Sequence, residues 1–177
     1  MPRIELDINP LQHITVDAIG QPGTRVFYIQ GWRETDPQPV TIIIEKVQLQ
    51  SLALGVDQML AELAKLKPEL AVPALKYDPD KMRITPPLDP LFRAGEMGLG
   101  YDADHDRIII MVREVMMENG VPEEAAEVRF WCTRTQIRHL ADWSKEVVNR
   151  GRPICSQCGQ PMEPEGHFCP KKNGHKH

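Results

Sequence analysis

The chain has 177 residues, 41 % of them hydrophobic and 26 % charged, with a formal net charge of −4. That length suits one domain of ordinary size, or one domain with a small appendage. The acidic balance excludes an overall electrostatic pull towards nucleic acid or an anionic membrane, and no apolar run approaches the roughly 20 residues of a membrane span.

The opening residues, "MPRIELDINP", have no apolar signal-peptide core, so a cytoplasmic location is expected. "HITVDAIG" (13–20) reads as a strand, and Pro22 and Gly23 mark a turn after it. "RVFYIQGW" (25–32) is β-branched and aromatic, which predicts a second strand. "VTIIIEK" (40–46) is a third, with an apolar centre that implies burial on both faces or a covering helix. The period then changes. Leu49, Leu52, Val56, Met59, Leu60 and Leu63 recur at three and four, the face of a helix over 47–66.

Six prolines between 67 and 90 rule out a long helix there. The stretch reads as an irregular linker with a short helical turn near Pro73–Lys76. "LFRAGEMGLGYD" (91–102) and "RIIIMVREVMM" (107–117) read as two strands around the turn "ADHD". "EVRFWC" (127–132) is a further strand. Residues 135–149 form a second amphipathic helix, with Thr133 as a cap near its start and Gly151 and Pro153 as its stop.

Both halves therefore run strand, strand, strand, helix. Aligning 42–52 with 130–140 sets Gln48 on Gln136, Leu49 on Ile137 and Leu52 on Leu140. Upstream, 25–32 aligns with 107–114 and 14–20 with 92–98. The expectation is an α+β fold of two βββα repeats (about 13–66 and 91–150), with two antiparallel sheets or one merged sheet and two helices within residues 1–152. A three-stranded meander with one helix has a sheet face too large for a small core, and two copies bury each other.

The remaining residues, 153–177, hold three of the four cysteines and three of the six histidines. "CSQCG" (155–159) is a zinc-knuckle sequence. Two thiolates two residues apart grip one tetrahedral ion from a tight turn, and the glycine after them relieves the backbone. Cys169 is the third sulfur. His167 completes a Cys₃His set of Cys155, Cys158, His167 and Cys169. His175 is the alternative fourth ligand, because His167 and Cys169 are closer than the usual two-residue gap. A closed four-ligand site leaves no vacancy for water or substrate, so the Zn²⁺ is expected to be structural.

Other motifs carry less. Cys132, at a strand end, reads as a small core residue. "YDADHD" (101–106) places Asp102, Asp104 and Asp106 at alternate positions, but Arg107 and Arg113 stand where a calcium loop needs glycine and glutamate, so it reads as a charged turn. "GQPG" (20–23) lacks a phosphate-loop lysine and reads as a turn.

"IGQPGTRVFYIQG", "TIIIEKVQLQSLA", "FRAGEMGLGYDADHDRIII" and above all "GRPICSQCGQPMEPEGHFCPKKNGH" together resemble an uncharacterised bacterial family, the domain of unknown function 3090. The resemblance spans nearly the whole chain and is weakest over 67–90. It implies this fold and a metal tail, and no established activity. It also implies an aromatic residue after the "NG", where this chain has His175, which favours His167 as the ligand.

With no catalytic constellation in view, the leading expectation is a zinc-binding scaffold or adaptor for a protein partner. Single-stranded nucleic-acid binding of the PUR or Whirly type is the alternative, opposed by the acidic charge and 6 % aromatics. An enzyme with a site between the repeats is the third.

Overall fold

The protein is described from a computed structural model, which covers residues 3–150, 155–159, 162 and 168–171. Strands β1 (Glu5–Ile8) and β2 (Leu11–Ile19) are separated only by Asn9 and Pro10. β3 (Val26–Arg33), β4 (Val40–Ile44) and helix α1 (Lys46–Leu66) come next. After a 3₁₀ turn at Pro79–Met82 come β5 (Pro90–Asp102), β6 (Arg107–Glu114), a 3₁₀ turn at Pro122–Glu124, β7 (Glu127–Cys132) and helix α2 (Arg134–Asn149).

The seven strands form one sheet in the order β1-β7-β6-β5-β4-β3-β2. β3 runs antiparallel to its neighbours β2 and β4, and β6 antiparallel to its neighbours β5 and β7. The sheet is not antiparallel throughout, as the sequence suggested. β4 pairs with β5 in parallel, and so does β1 with β7. A parallel neighbour needs a long crossover, which α1 and residues 67–89 supply between β4 and β5. The two edge strands are consecutive in the chain: Ile8 pairs with Phe130 on one side, and Leu11 pairs with Arg33 on the other. The sheet is therefore rolled round until its edges meet at Asn9 and Pro10, as in a barrel.

Inward residues alternate along each strand, as a pleat requires. Ile14 and Val16, Ile42 and Ile44, Ile108 and Ile110, and Val128 and Phe130 are all buried in one core. α1 adds Leu49, Leu52 and Val56 to it, and α2 adds Ile137, Leu140 and Trp143. Gly31 lets the core close: a Cβ there would lie 2.5 Å from the Phe130 ring.

Both helices begin with a capping box. Glu45 and Gln48 satisfy each other's backbone at the start of α1, and Thr133 and Gln136 do the same at α2. The two glutamines also reach outward in matching ways. Gln48 Nε2 donates to the carbonyls of Ala94 (3.2 Å) and Gly95 (3.1 Å). Gln136 Nε2 donates to those of Leu11 (2.9 Å) and Gln12 (3.3 Å).

The proline-rich segment is ordered as a strap over α2 and β2. The Ala74 N–H donates to Thr135 Oγ1, and its carbonyl faces His139 Nε2 at 2.9 Å. The Tyr77 hydroxyl donates to Glu146. Thr15 Oγ1 donates to the Met82 carbonyl, and Met82 is buried. The buried Gln30 amide mimics a strand, donating to the Thr85 carbonyl and accepting from the Thr85 N–H. The helical turn lies at Pro79–Met82, not near Pro73–Lys76. Asp78 accepts from the Asp80 N–H, and Pro79 takes the first helical position, where its missing N–H costs nothing.

Candidate metal centre

Beyond α2 the described chain resumes at Cys155. Residues 155–159 make a tight turn, closed by the Gly159 N–H donating to the Cys155 carbonyl at 2.8 Å. Gly159 has φ of +73°, a left-handed conformation that glycine adopts without a Cβ penalty. This turn points Cys155 and Cys158 to one side, and Cys169 closes on them. The three sulfurs all lie within 4.8 Å of one another. Cys155 Sγ is 3.7 Å from Cys169 Sγ, and both residues are buried.

The geometry fits a metal. A tetrahedron with metal–sulfur bonds of about 2.3 Å has sulfur–sulfur edges of about 3.8 Å. The electrostatics agree. The backbone N–H groups of Cys158 and Gln157 aim at the Cys155 sulfur, outweigh its burial, and lower its thiol to about 6. A thiolate, the form that binds metal, is therefore favoured at neutral pH. Three clustered thiolates suit a soft or borderline ion. Of the predicted ligands, the structure brings Cys155, Cys158 and Cys169 together. His167 and His175 lie outside the described residues.

The other singled-out residues have structural roles. Cys132 is fully buried, and burial pushes its thiol far up, so it is no nucleophile. In the 101–106 turn the carboxylates of Asp102 and Asp106 are already bonded within the protein. Asp102 faces His105 at 2.7 Å and accepts from the Asp104 N–H. Asp106 accepts from the Tyr101 hydroxyl and from Arg134, the first residue of α2. The "GQPG" turn uses positive φ at Gly20 and Gly23. Arg25, beyond it, donates to the carbonyls of Val147 and Val148 at the negative end of α2.

A polar cluster on the outer face of β1, β7 and β6 had no sequence signal. Glu127 is 6 % exposed and accepts from Arg3, Arg113 and Arg129. Arg129 also grips both carboxylate oxygens of Asp7, at 2.8 and 3.0 Å, and Trp131 Nε1 donates to Asp7. Arg3 and Asp7 lie more than a hundred positions before Glu127, Arg129 and Trp131, and the parallel β1–β7 pairing makes them neighbours. Alternation in "EVRFWC" marks Glu127, Arg129 and Trp131 as one face, but not what covers it.

A family model described as a protein of unknown function (DUF3090) matches residues 7–169, from Asp7 to Cys169. The chain belongs to the DUF3090 family. The matched span takes in the sheet from Asp7 onward, both helices and all three clustered cysteines of this DUF3090 chain. No curated protein and no solved structure matches it. Among the described residues, no helix is long and apolar enough to cross a membrane.

Proposed function

We propose that this protein is a cytoplasmic, zinc-stapled scaffold that presents a surface to a protein partner and performs no chemistry of its own. Residues 1–152 form a duplicated α+β domain of two βββα units, and 153–177 form the zinc knuckle. Zn²⁺ is held by Cys155, Cys158, Cys169 and His167, with His175 as the alternative fourth ligand, and it serves to fix the fold of the tail.

The observation that carries this reading is the 3.7 Å approach of Cys155 and Cys169 with Cys158 beside them. That spacing supports one ion shared by three thiolates, and a full four-ligand shell has no place for substrate. The duplication is supported by the matched glutamines. Gln48 and Gln136 each cap a helix and bond two consecutive carbonyls at a register shift in the opening strand of the other half.

Metal analysis of the purified chain tests the assignment. One zinc per chain, lost in a Cys155→Ser/Cys158→Ser variant, is the expected result. A partner that is captured by the wild type and lost by that variant supports the scaffold role. A zinc-free wild type sinks the staple.

A further inference from the structure

The strap ends at a cavity of about 510 Å³. Its walls come from the end of β3 at Trp32, the loop into β4, the strap from Thr85 to Pro87, and Asp89 and Leu91 around the start of β5.

These walls are stiff. Pro37 and Pro39 stand in the β3–β4 loop and Pro86 and Pro87 in the strap, and a proline ring fixes its own φ. The Gln30 amide ties the strap down at Thr85 and also donates to Thr41 Oγ1 at 3.0 Å. Thr41 is itself a buried wall residue. Trp32 packs on the His13 ring, with 5.4 Å between centroids. A cavity formed in advance spares a ligand the cost of ordering it.

The chemistry of the walls narrows the choice of ligand. Among the described lining residues Asp89 is the one charged side chain. Its carboxylate has no hydrogen-bond or ion-pair partner among the described residues. An anion would be repelled there, and a cation would pair with it. Trp32 adds the aromatic face that cations favour most. His13 beside it does not oppose a cation, because burial lowers its imidazole from the usual 6.5 and leaves it neutral at pH 7. Leu91 is 43 % exposed and, with Val40 and the prolines, offers apolar cover to the stem that carries the charge.

The indole N–H adds a further requirement. Trp131 Nε1 donates to Asp7, and Trp143 Nε1 donates to the Val16 carbonyl. Trp32 is half-buried, and its Nε1 has no acceptor among the described residues. A ligand with a carbonyl beside its cationic stem supplies one. A lysine or arginine residue within a peptide chain has all three features: the charge, the apolar stem and the carbonyl. A free polyamine lacks the last.

We propose that this cavity receives a lysine or arginine residue of a partner protein, with its charge on Asp89, its stem against Trp32 and the prolines, and its backbone carbonyl accepting from the Trp32 indole. The proposal rests on the scaffold reading and gives the partner of that scaffold a chemistry.

NMR titration of the ¹⁵N-labelled full-length protein with arginine blocked as its N-acetyl methylamide tests it. The chain has three tryptophans, and Trp32→Phe identifies the Trp32 indole signal by removing it. That signal should move saturably while those of Trp131 and Trp143 stay in place. Asp89 is exposed, so Asp89→Asn keeps the fold, and it should weaken binding at least about tenfold. Blocked citrulline, which keeps the shape of the probe and loses its charge, should bind more weakly by a similar factor. A Trp32 signal that does not move overturns the proposal. So does binding that is equal for citrulline or unchanged in Asp89→Asn. Agmatine has the guanidinium and the stem without the carbonyl and should bind more weakly than blocked arginine; if it binds as tightly, a free amine is the ligand and the partner residue is overturned. The titration needs neither zinc nor a captured partner. A zinc-free protein therefore sinks the staple without touching this site, and a silent Trp32 sinks the site without touching the staple.

Discussion

The ring of Phe130 on β7 lies directly against Gly31 on β3, so that a Cβ at Gly31 would come within 2.5 Å of Cε1 and 2.7 Å of Cδ1. β7 and β3 are not neighbours in the sheet, so this contact spans the interior of the rolled structure. It exists because the two edges of the sheet meet at Asn9 and Pro10. Phe130 is fully buried and cannot swing aside. Gly31→Ala is therefore expected to destabilise the protein by about 1–3 kcal/mol, the usual cost of overpacking. Denaturant unfolding reads this as a lower midpoint at unchanged slope. Adding Phe130→Leu to Gly31→Ala should recover part of the loss, because it removes Cε1, the ring atom nearest the new methyl.

Gln48 and Gln136 each satisfy a helix start and two strand carbonyls. Replacing either with alanine removes both functions, and a cap alone contributes about 1 kcal/mol. Each variant should lose about 1–2 kcal/mol, and the double variant should lose the sum to within about 0.5 kcal/mol, since the sites are separate. A strongly non-additive pair would mean that the two anchors communicate through the sheet.

The Glu127 cluster sets an acid limit. Burial alone would raise the Glu127 carboxyl, but hydrogen bonds from Arg113 and Arg129 outweigh it and hold the group below the 4.5 of a free glutamate. Asp7 is lowered from 3.8, first by Arg129, against its burial, and then by Trp131. Groups depressed in the folded state give stability that is present above their unfolded values and is lost as pH falls through the folded ones. Unfolding free energy should therefore drop below about pH 4.5, and Glu127→Gln should flatten that slope. At neutral pH, Glu127→Ala should cost about 2 kcal/mol, less than a fully buried pair because its arginine partners are partly exposed.

The cysteines should fall into two classes. After chelation in native buffer, Cys155, Cys158 and Cys169 should react with a thiol reagent, while Cys132 reacts only on unfolding, because it is sealed in the core. Metal retention should weaken as pH falls through about 6, the value to which the backbone donors bring Cys155, because protons then compete for the sulfur. Equal reactivity of all four thiols in the folded protein would contradict this division.

Strands with strong local patterning and both helices were legible from period and turn chemistry, and so was the clustering of three cysteines, because they lie close in sequence. β1 was not. "ELDI" is four residues long, and its partner, β7, lies more than a hundred positions away. Long-range pairing leaves no local trace, which is also why Asp7 and Glu127 went unnoticed as neighbours. The comparison of the two halves sets 42–52 on 130–140, where Gln48 and Gln136 make matching hydrogen bonds. It slipped upstream. Leu11 pairs with Arg33 as Ala94 pairs with Glu114, so Leu11 matches Ala94, whereas the sequence set Ile14 on Phe92. Each opening strand carries a register shift and the turns differ in length, and neither can be read from apolar pattern alone. The strap was missed for a related reason: proline ruled out a long helix there but said nothing about where an extended segment would lie.

X-ray absorption at the zinc edge of the purified full-length protein decides whether one zinc ion sits among the three cysteines. The expected spectrum has three sulfurs at about 2.3 Å and one nitrogen at about 2.0 Å, with His167→Ala exchanging the nitrogen for another light atom. A first shell of oxygen and nitrogen without sulfur, or no zinc at all, would contradict the zinc staple.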